Sequence, residues 1–202
     1  MPKIRTDKLF IILKDIRNKI YTKLISPNFF DIGKNTTIIS PFRFANLGLI
    51  KLGNNVCIHN NCWVQVLNYS EKTYGPTIKM DDYVSIGCNS TISAAKKIII
   101  EEYVFTAPNV YISDHQHEFH DVTLPIAKQG IGNIQGVRIG AHSWLGENSA
   151  ILPGASIGKH CVIGANSVVN SNIPDYSVAV GAPAKVIETF NFHKKRWERV
   201  GK

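Results

Sequence analysis

One short segment of the chain concentrates side chains that could perform acid–base or metal chemistry. Residues 111–121 read YISDHQHEFHD and contain three of the 7 histidines, His115, His117 and His120, together with Asp114. Imidazole can act as a general base, bind a transition metal or simply hydrogen-bond within a polar loop, because its ordinary pKa lies near neutrality. The residue types of this segment fit all three roles. The secondary-structure elements that position the segment are needed to distinguish them.

Composition limits the classes of protein to consider. With 202 residues, 44% of them hydrophobic and 19% charged, the chain is expected to fold as one main domain rather than to remain disordered. Its N-terminal apolar run, residues 9–13, is too short to cross a membrane and no signal cleavage site follows it, so a cytoplasmic protein is expected. The cysteines form no CxxC pair and no framework spacing, which argues against disulfides and a structural zinc site.

The formal net charge of +8 is concentrated at the two ends of the chain. Basic clusters of this kind suit phosphates, an anionic lipid surface or an acidic polymer, and they are equally typical of a solvated face. A peripheral contact with the inner face of a membrane is one reading of the N-terminal cluster. No recognised nucleic-acid-binding module accompanies either cluster, so nucleic acid is not an expected partner.

An aliphatic residue recurs every six positions in the second half of the chain, at Ile139, Leu145, Ile151, Ile157, Ile163 and Val169. Four residues after each of the first five lies a small side chain: Ser143, Ser149, Ala155, Cys161 and Ser167. A strict period of six matches neither the helical period of 3.6 nor the strand period of two. It predicts short strand-and-turn units, three to a triangular coil, with the aliphatic side chains stacked inside.

The same phase occurs earlier in the chain and is broken in places, which predicts the organisation of the whole. Residues 1–29 are expected to form a basic amphipathic helical segment whose apolar face caps the open end of the solenoid, using Ile4, Phe10, Ile11, Leu13, Ile16, Ile20 and Leu24. Residues 30–187 are expected to form an all-β solenoid of parallel strands, from which a loop, 113–136, is ejected. Residues 188–202 are expected to form a basic helical tail.

The segments IGAHSWLGENSAILPGASIGKHCVIGANSVV and IPDYSVAVGAPAKVI resemble the left-handed parallel β-helix acyltransferases with hexapeptide repeats. Within them the chain is most similar to the group of maltose, galactoside and capsule or lipopolysaccharide O-acetyltransferases. The resemblance implies a left-handed coil, a homotrimer, and acetyl-CoA bound as acyl donor between subunits. The implied acceptor is a sugar hydroxyl, with no metal required.

The resemblance also implies roles for individual residues. The histidine that opens the ejected loop after TAPNV serves as general base in this group, which points to His115, with His117 as the second candidate. Asp114 is expected to orient a histidine, to contact the acceptor or to cap a turn, and Asn89 to contact the acceptor or to form a turn. The implied donor-binding residues are Trp144, Gly146, Ala165, Pro183 and Lys185.

Two alternatives stay open at this stage. A γ-class carbonic anhydrase has the same fold and binds zinc through histidines, and His115 and His120 have the offset of two of its ligands, although no histidine lies where the third is expected. A non-catalytic β-helical binding module is the other alternative. The sequence names neither the sugar nor the hydroxyl, and it does not say whether the acceptor is free, nucleotide-linked or lipid-linked.

Overall fold

The computed structural model describes residues 6–67 and 75–201, in which three parallel sheets form the faces of a triangular solenoid. Face 1 consists of the strands Asp31–Ile32, Ile50–Leu52, Ile78–Met80, Ile98–Ile100, Val137–Ile139 and Ser156–Ile157. Face 2 contains the parallel strands Thr37–Ile38, Cys57–Ile58, Ser85–Ile86, Phe105–Thr106, Trp144–Leu145, Val162–Ile163 and Ser177–Val180. Face 3 consists of Arg43–Ala45, Trp63–Val66, Thr91–Ala94, Tyr111–Ser113, Ala150–Ile151 and Val168–Val169. The parallel β-helix predicted from the six-residue period is therefore confirmed.

Stacked aliphatic side chains fill the interior of the solenoid. The six residues that define the period in the second half of the chain are all fully buried. Cys62 and Cys161 occupy small inward positions, and both are buried as predicted. Burial raises the pKa of both thiols, that of Cys62 to about 11, so neither is a thiolate at neutral pH.

The corners of the coils require backbone in the left-handed region, which Asn, Tyr and His supply here. At the corner between faces 1 and 2 these residues stack into a column of rings: Tyr83, Tyr103, His142, His160 and Tyr176. Neighbouring ring centroids in this column lie between 4.6 and 5.4 Å apart. Two of the 7 histidines therefore serve the packing of the coils.

Residues 114–136 leave the solenoid between the last strand of the fourth coil, Tyr111–Ser113, and the first strand of the fifth, Val137–Ile139. The strands Gln116–His117 and Ile131–Gly132 pair antiparallel as a separate two-stranded sheet. A 3₁₀ turn, Ile126–Lys128, lies between them. This loop therefore begins within the histidine-rich segment, residues 111–121.

Helix α1, Thr6–Ile25, precedes the first coil and is followed by the 3₁₀ turn Ser26–Asn28; a further 3₁₀ turn is Leu47–Leu49. The predicted helix is present, but the prediction that its apolar face caps the solenoid is wrong. The two buried residues of the capping face are polar, Asn18 and Thr22, with Tyr21 and Ile25 packed partly beside them, and the Thr22 hydroxyl accepts a hydrogen bond from the Ile38 amide at 2.8 Å.

The physical reason is that the first coil presents an unpaired strand edge, whose N–H groups need a hydrogen-bond acceptor rather than an aliphatic cover. The residues named for the apolar face are exposed, apart from Ile4, which lies outside the described residues. No helix in the described ranges is long and apolar enough to span a membrane.

The C-terminal segment is a β-hairpin, and the predicted helical tail is wrong. Lys185–Asn191 pairs antiparallel with Ser177–Val180 at the end of face 2, and Arg196–Arg199 pairs with Lys185–Asn191. Side-chain exposure alternates along Lys185–Asn191, the period of a strand. The ring centroids of Phe190 and Trp197 lie 5.5 Å apart across the hairpin, so the hairpin covers the last edge of face 2.

Candidate active site

His115 lies where the chain leaves face 3, and Asp114 holds its ring. The Nδ1 atom of His115 lies 2.9 Å from Oδ1 of Asp114. A carboxylate at that distance accepts the Nδ1 proton, which leaves Nε2 as the basic nitrogen of the neutral ring. The His115 side chain is 10% exposed and that of Asp114 is fully buried, so the surrounding chain encloses most of the pair.

Asp114 is held in turn by the preceding coil. Its two carboxylate oxygens accept hydrogen bonds from the backbone amides of Ala95, Lys96 and Lys97 at 2.7 to 2.8 Å. Burial by itself raises the pKa of Asp114, but the hydrogen bonds from His115 and these three amides outweigh it and leave the pKa below its ordinary value. The buried carboxylate is therefore ionised and can stabilise a positively charged imidazole.

Ser113 fixes the turn that carries the histidine. Its hydroxyl donates to the backbone carbonyl of His115 at 2.7 Å. The Ser113 side chain is itself fully buried in the end of face 3. The backbone on both sides of the Asp114–His115 pair is thus tied to the solenoid.

The other two histidines of the segment lie away from this arrangement. His117 is exposed in the small antiparallel sheet. His120 is exposed, contacts Glu118 through Nδ1 and stacks on Phe119 with ring centroids 4.5 Å apart. No three His, Cys, Asp or Glu side chains among the described residues are grouped as metal ligands would be. Only His115 has a buried carboxylate partner in this segment.

The residues implied for donor binding lie on other parts of the solenoid. Trp144 is 46% exposed on face 2, between Phe105 and Val162 of the neighbouring coils. A Cβ atom built on Gly146 would lie 2.6 Å from the Ala165 amide nitrogen, so the two coils approach there without side chains between them.

Pro183 and Lys185 lie at the start of the C-terminal hairpin. The Ala182–Pro183 peptide bond is cis, and the next amide, that of Ala184, donates to the Val168 carbonyl at 2.8 Å. Lys185 is exposed at the first position of its strand. Gly146, Ala165 and Pro183 each follow a face 2 strand in successive coils, and Lys185 begins the strand after Pro183.

Asn89 occupies a corner between faces 2 and 3, with φ of 59° and an exposed side chain. This places it in the turn-forming role left open by the sequence. Among the described residues, no hydrogen bond or ring contact joins His115 to Trp144, Gly146 or Lys185. His115 follows the face 3 strand Tyr111–Ser113, whereas Trp144 lies in a face 2 strand and Lys185 in the hairpin that extends face 2, so one chain presents the histidine and these donor candidates on different faces.

The sequence matches the family model described as Bacterial transferase hexapeptide (six repeats) over residues 136–171. The Escherichia coli K12 protein WbbJ, whose name assigns it to lipopolysaccharide O-acetyl transfer, is 31% identical over 173 residues, covering 82% of this chain and 85% of WbbJ. The chain belongs to the hexapeptide-repeat acyltransferases.

A second relative and a solved structure are also similar to this hexapeptide acyltransferase. A probable acetyltransferase of Mycobacterium tuberculosis is 37% identical over 162 residues, which are 73% of this chain and 54% of that protein, so the match spans about half of that relative. A mutant of AntD, an N-acyltransferase from Bacillus cereus solved with dTDP and coenzyme A, superposes with a TM-score of 0.70 at 22% identity. That match covers 85% of this chain and 90% of AntD, and it shows the shared fold.

The acyltransferase also has an amide-lined cavity of about 380 Å³ that sequence reasoning missed. Its lining residues are Gln116, Asn133, Gln135, Leu152, Pro153, Gly154 and Asn170. The cavity lies beside His115. Gln116 follows His115 directly, and the backbone amide of Gln135 donates to the backbone carbonyl of Asp114 at 2.8 Å. The sequence signal was weak, since these amides are spread over more than fifty positions and Asn and Gln are common in loops.

Proposed function

We propose that the protein transfers an acetyl group from acetyl-CoA to a sugar hydroxyl of a surface-polysaccharide or lipopolysaccharide precursor. The observation that carries the proposal is the His115 ring held by the buried Asp114 carboxylate. A sugar hydroxyl is a poor nucleophile at neutral pH, and it needs a base within hydrogen-bond reach. The family membership and the name of WbbJ support acetyl transfer to such an acceptor.

Acetyl-CoA would supply the acyl group as a thioester. Nε2 of His115 accepts the proton of the acceptor hydroxyl while the hydroxyl oxygen bonds to the acetyl carbonyl carbon. The imidazolium, stabilised by Asp114, then gives the proton to the sulfur as the carbon–sulfur bond breaks. No acyl-enzyme is formed, which is consistent with the raised pKa of the buried Cys62 and Cys161 thiols.

The chain offers residues that fit the donor. Where Gly146 meets Ala165, bare backbone groups let a pantetheine arm lie close. The exposed indole of Trp144 can cover that arm, and Lys185, beside the turn shaped by Pro183, offers an exposed ammonium group to the phosphates.

Lys185→Ala is expected to raise the KM for acetyl-CoA about tenfold and to leave kcat nearly unchanged, because it removes one charge-assisted contact made equally before and during the reaction. Steady-state kinetics with varied acetyl-CoA provide the measurement. Lys128→Ala, which removes an exposed lysine of the loop, is the matched control and is expected to behave as the wild type. An unchanged KM in Lys185→Ala would contradict the assignment.

We further propose a homotrimer with a left-handed coil, as in the family. Since the histidine and the donor candidates occupy separate surfaces of one chain, a neighbouring subunit would bring its Trp144 and Gly146 to His115. Light scattering on the purified protein tests the assembly, and a monomer with full activity would contradict it.

The amide-lined cavity supports an uncharged, hydroxyl-rich acceptor. Four side-chain amides, those of Gln116, Asn133, Gln135 and Asn170, offer both donors and acceptors without charge. Such a set matches sugar hydroxyls better than it matches a phosphate or a carboxylate. The uncharged lining therefore supports an acceptor-binding role for Asn170 and its neighbours rather than a donor-binding role.

The reaction is tested by incubating the protein with acetyl-CoA and a panel of sugars, nucleotide sugars and oligosaccharides, followed by mass spectrometry and NMR of the products. The expected product is a sugar carrying an acetyl ester. An acetamide on an amino sugar would replace the O-acetyl reading with N-acetyl transfer. No acetylated product from any acceptor would contradict the proposal.

A further inference from the structure

Helix α1 is attached to the solenoid by one face near its C-terminal end. Asn18 and Thr22 are buried there, and Tyr21 and Ile25 pack partly against the core. Every described side chain from Lys8 to Arg17 is exposed, so the N-terminal part of the helix projects from the solenoid. The apolar residues of the helix are consequently free of intramolecular cover.

Seven of these apolar residues form a stripe on the side opposite the attached face, whereas the exposed Ile11 lies on the same side as Asn18 and Thr22. At about 100° per residue, the positions of the seven fall within one half of the helix circumference. Their exposed fractions range from 49% to 72%, in Leu9, Phe10, Ile12, Leu13, Ile16, Ile20 and Leu24. A soluble domain seldom leaves so many large aliphatic side chains adjacent and in water.

Basic residues border the stripe on both sides. Lys8 and Lys19 lie along one edge and Lys14 along the other, while Arg17 and Lys23 fall within the angular range of the stripe. Asp15, the one acidic residue between Lys8 and Ile25, projects outside the stripe. Among the described side chains, no ion pair involves a cation of this helix. The cations are therefore available to an anionic partner.

We propose that α1 is a docking element for an anionic lipid bilayer, lying in the interface with its apolar stripe inserted and its lysines at the headgroups. An apolar stripe bordered by basic residues is the pattern of interfacial helices, and the finding that α1 does not span a membrane fits a helix that lies flat. A second copy of the chain fits less well, because pairing the stripes would bring Lys14, Arg17 and Lys19 of two helices together. The inference does not depend on the proposed reaction.

Vesicle flotation with the full-length protein tests the inference. The wild type is expected to float with vesicles of phosphatidylcholine mixed with phosphatidylglycerol and to remain in the soluble fraction with phosphatidylcholine alone. Leu13→Glu/Ile16→Glu is expected to lower the bound-to-free ratio at least about tenfold by placing charges in the stripe. Lys8→Glu/Lys14→Glu, which touches no solenoid contact, is expected to lower it to a similar degree.

Matched controls separate docking from general surface effects. Val200→Glu introduces an acid at a residue that is 50% exposed, and Lys128→Glu reverses an exposed charge in the loop, so both are expected to bind like the wild type. Unchanged thermal unfolding of the four variants shows that the solenoid is intact.

Three results would overturn the inference. The first is wild-type protein that stays soluble with anionic vesicles, and the second is equal loss of binding in the control variants. The third is a smaller oligomer in Leu13→Glu/Ile16→Glu by light scattering, which would make the stripe a contact between subunits. Wild-type protein that floats with anionic vesicles but transfers no acetyl group would contradict the proposed function and leave this inference standing.

Discussion

His115→Ala lowers kcat for acetyl transfer by about 10³-fold, within the range that a positioned general base contributes. The loss follows from removal of Nε2, the nitrogen left basic by the hydrogen bond between Nδ1 and Asp114. Acetyl-CoA affinity is expected to stay within about twofold, because the proposed contact of the His115 imidazole is with the acceptor hydroxyl and not with the donor. Steady-state kinetics and calorimetric titration with acetyl-CoA measure the two quantities separately.

His117→Ala is the matched control for this prediction. It removes an exposed imidazole two residues along the same segment, and it is expected to keep nearly full activity. If His117→Ala lost activity while His115→Ala retained it, the base would be His117 and the role of the buried pair would be structural.

Asp114→Asn is expected to lower kcat at least about 10²-fold while the fold is retained. The amide is nearly isosteric, but its NH₂ group replaces one acceptor oxygen and faces donors in either orientation: the His115 Nδ1–H and the Ala95 amide, or the amides of Lys96 and Lys97. In either orientation the histidine loses the charge that stabilises the imidazolium, and with the NH₂ group toward His115 it also loses its tautomer preference. The measurement is kcat of the purified variant beside that of the wild type.

The same carboxylate predicts a pH dependence of stability. The pKa of Asp114 is lowered in the folded protein, so its contribution to the free energy of unfolding is fully present above the unfolded-state pKa of about 4 and is lost as pH falls through the folded value. The stability difference between wild type and Asp114→Asn should therefore shrink as the pH falls below about 4. Urea unfolding of both proteins at a series of pH values measures this difference, and a gap that widens in acid would contradict it.

The solenoid was predictable because its signal repeats. Each coil requires an aliphatic residue at the same phase, so Ile139, Ile151 and Ile163 support one another, and a small inward slot even identified Cys161 as a packing residue. The position of His115 at the exit from the solenoid followed from the same phase, combined with a family resemblance.

Features decided by tertiary contacts were not predictable. The orientation of α1 depends on the Ile38 amide at the open strand edge, which donates a hydrogen bond to the Thr22 hydroxyl. The apolar periodicity of the helix predicted an aliphatic contact there instead. The C-terminal hairpin forms because the last edge of face 2 offers hydrogen bonds to Lys185–Asn191, and the local sequence of the predicted helical tail, residues 188–202, carries no sign of that edge. Asn133 and Asn170 are far apart in the sequence and line the same cavity only in the folded chain.

Asp114 shows what the structure adds to a site that the sequence had placed. The sequence left it as an orienting group, an acceptor contact or a turn cap. In the structure it bonds to His115 and to three amides of the preceding coil, which accounts for all of its acceptor capacity within the chain. These bonds favour the orienting role for Asp114, and the proposed acceptor contacts are left to the cavity beside it.

The most direct test of the account is acceptor-dependent thiol release from acetyl-CoA, measured side by side for wild type, His115→Ala and His117→Ala in the presence of a metal chelator. The account predicts release by wild type and His117→Ala that survives chelation, and almost none by His115→Ala. Release by His115→Ala at the wild-type rate, or a wild-type activity abolished by the chelator, would contradict it, the second result in favour of a metal-dependent reaction.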